Sequence, residues 1–458
     1  IQTLLVLYMV STLHLSDHDA YTIIGQFTAL AYITPILGGY LADRVVGYRF
    51  CILLGGLLLC IGYAILSIFP QILLVGLTCM VVGNSLFKPN ISSFLGEFYT
   101  ENDPRRESGF TIFYIGINIG AFLGPVLGGY IQQWFGWYIC FGIASIGLII
   151  ATLTFRASFN VLENKGFSPK LPRVKNFAQL ILKQPSILLV LLTVAGTIFA
   201  LFNFPSLTTH LLKIAGAVIF LGLVFLAFKH QGAERKHIAA LIVMLLFSVV
   251  FWGLFFEIFF SVNLFTDRGV DHMIFGHTIP TAVFLGLEST FIILLGPLLA
   301  SLWKRTGPKK PFMTTPYKFS YALLFTALAY ELLVVIINHS PGGTNIHAAW
   351  IVLFYLLIVM GELFLSPIGL SMITSLTPKR YIGLMMGVWF ITLGYGGALG
   401  GFLAQDASIS DTTQSLASQI HIYKNAFQHF ANIGFVAFLV LFFVSPFLTR
   451  WILSSNKT

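Results

Sequence analysis

The segment GNSLFKP (residues 83–89) is matched 278 positions later by GELFLSP (residues 361–367), which keeps the glycine and the proline. The same displacement relates two further pairs of glycines, Gly109 with Gly387 and Gly116 with Gly394. Matches in register over two consecutive apolar segments indicate an internal repeat. The first copy also contains Lys88, which is the only charge between Ile72 and Glu97.

The whole chain is too apolar for a soluble protein. Its 458 residues are 57% hydrophobic and 9% charged, and the mean hydropathy is +0.87. A helix needs about 20 apolar residues to cross roughly 30 Å of hydrocarbon, and such runs recur along the chain with short polar breaks. We therefore predict an all-α integral membrane protein whose first helix is incomplete at Ile1. The predicted helices lie near residues 1–13, 20–42, 47–68, 71–96, 107–131, 136–157, 186–205, 211–229, 238–262, 278–302, 317–337, 347–375, 381–405 and 426–454.

The basic residues support this helix map. Most of the 26 lysines and arginines fall in alternate loops, as expected if those loops are cytoplasmic. The exceptions are Lys213, Arg268 and Lys424 in the opposite loops, and Lys88 inside a helix. The alternation predicts an even number of crossings and a cytoplasmic C-terminus. The net charge of +9 is then explained by topology and by anionic lipid headgroups, and nucleic acid is not an expected partner.

Parallel halves related by an axis along the membrane normal are the architecture of major facilitator transporters, which bind substrate near the midplane. We predict an N-terminal six-helix bundle over residues 1–157, a linker with two extra transmembrane helices over 158–237, and a C-terminal six-helix bundle over 238–458. The stretch GGYLADRVVGYR (38–49) looks like the cytoplasmic loop motif of that superfamily. Its Asp43 and Arg44 would hold the loop to a helix end in one conformation and release it in the other, although such turns also occur in other membrane proteins.

Other function classes fit the sequence less well. The four cysteines all fall inside predicted helices, and no Cys/His cluster has the spacing of a metal site. A membrane-embedded enzyme would need a nucleophile, a metal cluster or paired catalytic carboxylates at a membrane surface, and the sequence has no such constellation. A passive channel is disfavoured because the repeated helices favour alternating access.

Charges inside the predicted helices indicate where a ligand binds. Lys88 lies in the first half, and the second half holds Glu257, Glu288, Glu331 and Glu362. Each costs about 2.5–3.5 kcal/mol at the centre of a membrane helix and needs a partner or a watery cavity. A cation on one half and carboxylates on the other match a zwitterion of peptide length. The alternatives are a permanent ion pair for Lys88 and a structural role for Glu331.

The chain resembles the proton-coupled oligopeptide transporters, a family of the major facilitator superfamily. Three stretches carry the resemblance: VVGNSLFKPNISSFLGEFYTENDPRRESGFTIFYIGINIGAFLGPVLGGYI (81–131), FWGLFFEIFFSVNLFTDRGVDH (251–272) and GELFLSPIGLSMITSLTPKRYIGLMMGVWFITL (361–393). The resemblance implies a monomeric importer of di- and tripeptides in the bacterial inner membrane, driven by the proton gradient without a cofactor. A relative that carries another small zwitterion or anion is the open alternative.

The resemblance also implies roles for single residues. Lys88 would meet the peptide carboxylate, and Glu362 would take the peptide amino group. Tyr114 and Asn118 would hold the peptide backbone. The other residues implied to line the pocket are Tyr32, Ser366 and Trp389. From the residues alone, the aromatic side chains are equally well explained as ordinary core or interface residues.

The chain departs from the family pattern in three places. An ExxER-type motif, expected immediately before Ile1, is absent from this chain. Glu257 stands one residue after the usual glutamate of the seventh helix; we favour it over Glu362 for proton coupling, because Glu362 already has a ligand to bind. In LGLEST (285–290), Glu288 replaces a frequent asparagine. This extra acid could bind substrate and favour cationic peptides, or it could supply a second proton site.

Overall fold

The structure is a computed structural model that describes residues 2–99, 103, 105–162, 165–167, 185–274, 276–306, 311–340, 346–410 and 415–454. Within these ranges the chain is almost entirely helical. The α-helices in chain order are α1 Gln2–Ser11, α2 Asp17–Ile33, α3 Pro35–Leu41, α4 Tyr48–Ile68, α5 Leu73–Gly96, α6 Arg105–Ala157, α7 Pro185–Asn203, α8 Pro205–Lys229, α9 Gly232–Phe256, α10 Ser261–Gly269, α11 Thr281–Thr306, α12 Thr315–His339, α13 Ala348–Leu376, α14 Ile382–Leu403 and α15 Leu416–Ile452.

The predicted membrane helices are confirmed. In the described part of the chain, 11 helical segments are long and apolar enough to cross a membrane. The longest contains two predicted helices, because Gly136 has a φ of +83° and breaks α6 into two. Glycine adopts this conformation without steric cost. Two shorter apolar helices, Gln2–Ser11 and Ile187–Asn203, match the remaining predicted runs.

Three predicted helices are longer in the structure. α8 begins at Pro205 instead of near 211. α15 begins at Leu416 instead of near 426. α9 continues through a 3-10 turn, Glu257–Phe259, and through α10 to Gly269 instead of ending near 262. Hydropathy detects only the apolar part of a helix, whereas polar residues beyond the apolar run continue the same backbone hydrogen bonding. The hydropathy pattern therefore underestimated the length of these helices.

Short strands occur where only loops were predicted. Val270–Asp271 pairs in parallel with Ile346–His347, and Met273–Ile274 pairs antiparallel with His277–Thr278. Each strand has two residues, which is too short to give an alternating sequence pattern. The first pairing connects the segment after α10 to the start of α13, and the second is a local hairpin.

Backbone contacts divide the chain into two compact units. The Lys88 unit comprises Leu30–Gly120 and Ile131–Thr208. Its most extensive packing is between α4 and α5. The two backbones approach closely, since a Cβ on Gly55 would lie 2.7 Å from the Gly83 carbonyl oxygen. Small residues allow membrane helices to pack in this way.

The Glu362 unit comprises Ile1–Ala29, Ala121–Tyr130 and Thr209–Thr458. In it α12 packs on α13 and α15, α9 packs on α14, and α11 packs on α13. The start of the chain belongs to this unit, with α1 against α10 and α11. α2 meets α14 at two glycines, where a Cβ on Gly401 would lie 2.6 Å from the Gly25 Cα. The first two helices thus pack directly on helices from the second half of the chain.

Candidate functional site

Lys88 lies on α5 with its charge accessible. The side chain is exposed, and Nζ lies 4.6 Å from the centre of the Tyr32 ring. Asn84, one turn earlier on α5, donates a hydrogen bond to the Ala31 carbonyl oxygen (2.8 Å) and so fixes α5 beside Tyr32. A cation over an exposed aromatic face is stabilised by about 0.5–1 kcal/mol, which does not replace a counter-ion. Among the described residues, no carboxylate lies within ion-pair distance of Lys88.

Tyr114 and Asn118 lie one turn apart on α6, in the same unit as Lys88. The Tyr114 side chain is 59% exposed, and Asn118 is half-buried. Asn118 Nδ2 donates to the Tyr114 carbonyl oxygen (2.9 Å), which is a bond within the helix. This bond fixes the amide on the same face as the tyrosine. Both side chains therefore present polar groups from one face of α6.

Glu362 lies in the middle of α13, in the other unit. The residue is half-buried, and its Oε2 atom is enclosed without a hydrogen-bond partner among the described residues. Tyr355, two turns earlier, and Ser366, one turn later, share its helix face. Tyr355 is fully buried, whereas Ser366 is half-buried. This face of α13 carries a carboxylate that lacks the partner a buried charge requires.

A second carboxylate lies beside Glu362. α11 packs against α13, and this packing brings Glu288 close enough to Glu362 and Tyr355 for their charges to influence one another. Glu288 is half-buried, and in the described ranges neither acid is within ion-pair distance of a lysine or arginine. The structure therefore brings these two predicted site residues together, although they are distant in sequence.

Trp389 lies in the interior of the Glu362 unit. The side chain is 2% exposed and packs edge-to-face on Phe319, with the ring centres 6.4 Å apart. On its other side lies Gly369, where any Cβ would fall 2.0 Å from an indole carbon. The indole thus occupies space that only glycine leaves free on α13. Its position in this packing is also consistent with the core role that the sequence left open.

Glu257 is fully enclosed in the 3-10 turn between α9 and α10. It is 0% exposed, and the Ser261 hydroxyl donates a hydrogen bond to its Oε2 atom. Its Oε1 atom has no partner in the described part of the chain. Asn263, close by on α10, donates to the Thr3 carbonyl oxygen (2.8 Å), so α1 lies next to this turn. An ionised carboxylate in such surroundings is costly, and the group is suited to holding a proton.

Asp43 and Arg44 occupy a π-helical turn, Ala42–Val46. π-turns within helices are often found at functional sites. Both side chains are exposed, and Asp43 Oδ1 accepts a hydrogen bond from the Tyr48 hydroxyl (2.6 Å). This contact joins the turn to the first residue of α4. The loop motif is therefore held locally in this structure.

Sequence reasoning missed the role of Arg49, the last residue of the same motif. Its guanidinium donates to the carbonyl oxygens of Lys165 (2.6 Å), Leu162 (2.9 Å) and Phe159 (3.3 Å). It also lies over the rings of Phe159 and Phe167. Arg49 therefore ties the segment after α6 to the start of α4. The only signal in the sequence was its place in the motif.

The buried pair of Asp17 and Arg268 was also missed. Arg268 donates to both carboxylate oxygens of Asp17, at 2.7 and 2.8 Å, and to the Tyr423 hydroxyl at 2.8 Å. The Ile409 backbone N–H also donates to Asp17 (3.1 Å). Asp17 is 3% exposed. The sequence did contain a signal for this pair, because Arg268 is one of three basic residues in the loops that were predicted to lie outside the cytoplasm.

Metal-binding side chains do not cluster in the part of the chain that the structure describes, where no group of three or more His, Cys, Asp or Glu side chains could hold a metal ion. The four cysteines are free thiols, and three of them are buried. Glu331, for which a structural role was considered, accepts a hydrogen bond from Gln428 Nε2 (3.0 Å).

Comparison with known proteins places these features in a family. The PTR2 model of the POT family matches residues 49–421. Dipeptide and tripeptide permease A of Chromobacterium violaceum is 30% identical, over 100% of this chain and 91% of the permease. A variant of a peptide transporter POT, solved in complex with alafosfalin, has a TM-score of 0.82 and 29% identity, over 98% of this chain and 91% of that chain. A POT family transporter in complex with 5-aminolevulinic acid has a TM-score of 0.81 and 28% identity, over 98% and 93%.

Proposed function

This chain belongs to the POT family, and we propose that it imports di- and tripeptides together with protons across the bacterial inner membrane by alternating access. It is a multi-spanning helical protein with the major facilitator fold, and it is a transporter rather than an enzyme. One observation carries the proposal. Among the described residues, Lys88 lacks a carboxylate partner, whereas Glu288 and Glu362 lack a cationic one. These charges are complementary to the two termini of a short peptide.

Lys88 binds the peptide carboxylate in this proposal. Its exposed ammonium, positioned over Tyr32, forms a charge-assisted hydrogen bond that is about twice as strong as a neutral one. Tyr114 and Asn118 present a hydroxyl and an amide to the peptide backbone from one face of α6. The termini and the backbone are common to all short peptides, so these contacts accept many side chains.

Glu362 binds the peptide amino group. Its enclosed, unpartnered Oε2 atom gains the partner that it lacks in the empty protein. Ser366, one turn later on the same face of α13, offers a hydroxyl to the same region. Trp389 supports this end of the site from within the packing of the Glu362 unit.

Glu257 carries the coupled proton. It lies in an irregular turn beside α1 and has one oxygen held by Ser261. A carboxyl in a closed, apolar place holds its proton, and one that becomes hydrated or meets a cation releases it. Glu362 is the second candidate for this role, but it binds the peptide amine. The proton gradient is the only energy source that the transporter needs, without a cofactor.

The distribution of charge supports the topology, and the composition of the site supports the oligomeric state. The basic loops face the cytoplasm and the anionic lipid headgroups, which places the C-terminus in the cytoplasm. A monomer contains every residue assigned to the site. We therefore propose that the transporter works as a monomer.

Uptake into proteoliposomes tests the function. With an inward proton gradient, labelled dialanine should accumulate above its external concentration, and a protonophore should abolish the accumulation. N-acetylated and C-amidated dialanine should compete at least about tenfold more weakly, since each loses one charge-assisted hydrogen bond. The variant Lys88→Gln should lose concentrative uptake, and Lys229→Gln, at the exposed end of α8, should keep it. Accumulation that ignores the gradient, or equal competition by the blocked peptides, would reject the proposal.

A second candidate is the carriage of another small zwitterion. The observation in its favour is the relative in complex with 5-aminolevulinic acid, which has an amine and a carboxylate but no peptide bond. If Tyr114 and Asn118 hold a peptide backbone, dialanine should compete more strongly than 5-aminolevulinic acid in the same assay. The reverse order would favour the second candidate.

A further inference from the structure

α11 packs against α13, and this packing brings the carboxylates of Glu288 and Glu362 close to each other. They interact electrostatically, and both side chains are half-buried. The third group at this place, the Tyr355 hydroxyl, is uncharged and cannot neutralise either acid. In the described ranges no lysine or arginine forms an ion pair with them. When both acids are ionised, this pair carries more negative charge than one amine can offset.

Neighbouring carboxylates that are shielded from water require a proton or a cation between them. A peptide amino group satisfies one acid, which the proposed function assigns to Glu362. Its enclosed Oε2 atom, without a partner, is the place for that amine. Glu288 then remains as an acceptor beside an occupied one. A substrate with a second positive group close to its amine fills both positions.

We propose that Glu288 makes this transporter prefer peptides whose first residue is lysine or arginine. The inference rests on the proposed peptide transport, because it assigns the second charge of the same site. The side chain of the first residue is attached to the carbon that carries the amine, so its cation is the nearest one a peptide provides. Lysine offers an ammonium on a flexible four-carbon stem, and arginine offers a planar fork that matches a carboxylate. A lysine in the second position places its charge one residue further away.

Competition against labelled dialanine measures this preference in the full chain. The competitors are unlabelled Ala-Ala, Lys-Ala and Ala-Lys at one pH. Lys-Ala should reach half-inhibition at about a tenfold lower concentration than Ala-Ala, the effect of one added charge-assisted hydrogen bond. Ala-Lys should fall between the two. In Glu288→Gln the ratio between Ala-Ala and Lys-Ala should drop to about one, and Glu288→Asp should retain part of it.

Glu331→Gln is the matched control. The substitution removes the same charge from the same unit. Because Glu331 accepts a hydrogen bond from Gln428 and has no proposed role in binding, the variant should keep the wild-type ratio between Ala-Ala and Lys-Ala. If the wild type transports Ala-Ala but shows no preference for Lys-Ala, the inference is wrong and the proposed function stands. If no peptide is transported, the proposed function itself fails. A preference that persists in Glu288→Gln also overturns the inference. If Glu288→Gln keeps the wild-type ratio between Ala-Ala and Lys-Ala but transports fewer protons with each peptide, the inference is also wrong, and Glu288 is a proton site.

Discussion

At the scale of single residues, Glu257 decides how transport is coupled to protons. Glu257→Gln keeps a group that can accept the Ser261 hydrogen bond but cannot release a proton at physiological pH. We expect this variant to exchange labelled peptide across the membrane in counterflow, since counterflow needs no net proton movement. We expect its uptake driven by a proton gradient to fall at least about a hundredfold, the lower end of a general acid–base contribution.

Comparing counterflow with gradient-driven uptake shows whether Glu257 carries the coupled proton. Glu331→Gln should retain both activities, because Glu331 lies in a structural contact with Gln428. If Glu257→Gln still accumulates peptide against a gradient, Glu257 is a packing or gating residue. Proton coupling then passes to Glu362 or Glu288.

The polar residues of the site could be found from the sequence because a charge in an apolar run is costly. Lys88 and Glu362 were identifiable on that ground, and the resemblance to a family added their roles. The proximity of Glu288 to Glu362 was not predictable, since it depends on how α11 packs against α13. The enclosure of Glu257 depends on a 3-10 turn that hydropathy does not register.

At the scale of helices, the contact between α2 and α14 depends on two glycines. A Cβ on Gly401 would lie 2.6 Å from the Gly25 Cα, which is too close for any side chain without movement of the backbone. We expect Gly401→Ala to destabilise this packing by about 1–3 kcal/mol, the usual effect of overpacking. The melting temperature in detergent should fall by several degrees.

Gly222→Ala serves as the matched control. Gly222 lies on α8, and its added Cβ would meet no atom within 4 Å. That variant should melt at or slightly above the wild-type temperature, because alanine favours the helix. Equal melting temperatures for Gly401→Ala and the wild type would show that α2 and α14 can separate without loss of stability.

The helices show the same division between predictable and unpredictable features. The apolar runs predicted which segments cross the membrane, because the hydrocarbon thickness sets their length. The polar start of α15 at Leu416 was missed, since outside the membrane a helix needs no apolar face of that length. The contacts of Arg49 were not predictable, because its carbonyl partners follow α6 and are remote in sequence.

At the scale of the whole molecule, the packing of the first helices on helices from the second half of the chain describes one state of a transporter. Asp17 at the start of α2 accepts hydrogen bonds from Arg268 on α10 and from the Ile409 backbone, and Arg268 also reaches Tyr423 on α15. Two segments from the second half of the sequence thus bind one carboxylate from the first, and a third binds its partner Arg268. Alternating access requires such contacts to break in the opposite state. The Asp17–Arg268 pair is suited to be one that breaks, because a polar contact reforms with the same partners.

Asp17→Asn tests whether this pair holds the state described. The substitution removes the charge and leaves Arg268 partly buried, with a side-chain exposure of 17%, without its counter-ion. Removing one partner of a buried pair costs about 3–5 kcal/mol, so the population should shift toward the state in which α2 leaves α10 and α15.

A cysteine at Thr22, which accepts a hydrogen bond from Gln405 across the same contact, reports the opening. Its labelling by a membrane-impermeant maleimide should become several-fold faster in Asp17→Asn than in the wild type, after subtraction of the background from the four native cysteines. Asp19→Asn, an exposed acid two residues further on, should leave the rate unchanged. If Asp17→Asn also leaves it unchanged, glycine-mediated packing of α2 on α14 is sufficient to hold this state, and the ion pair contributes only to stability.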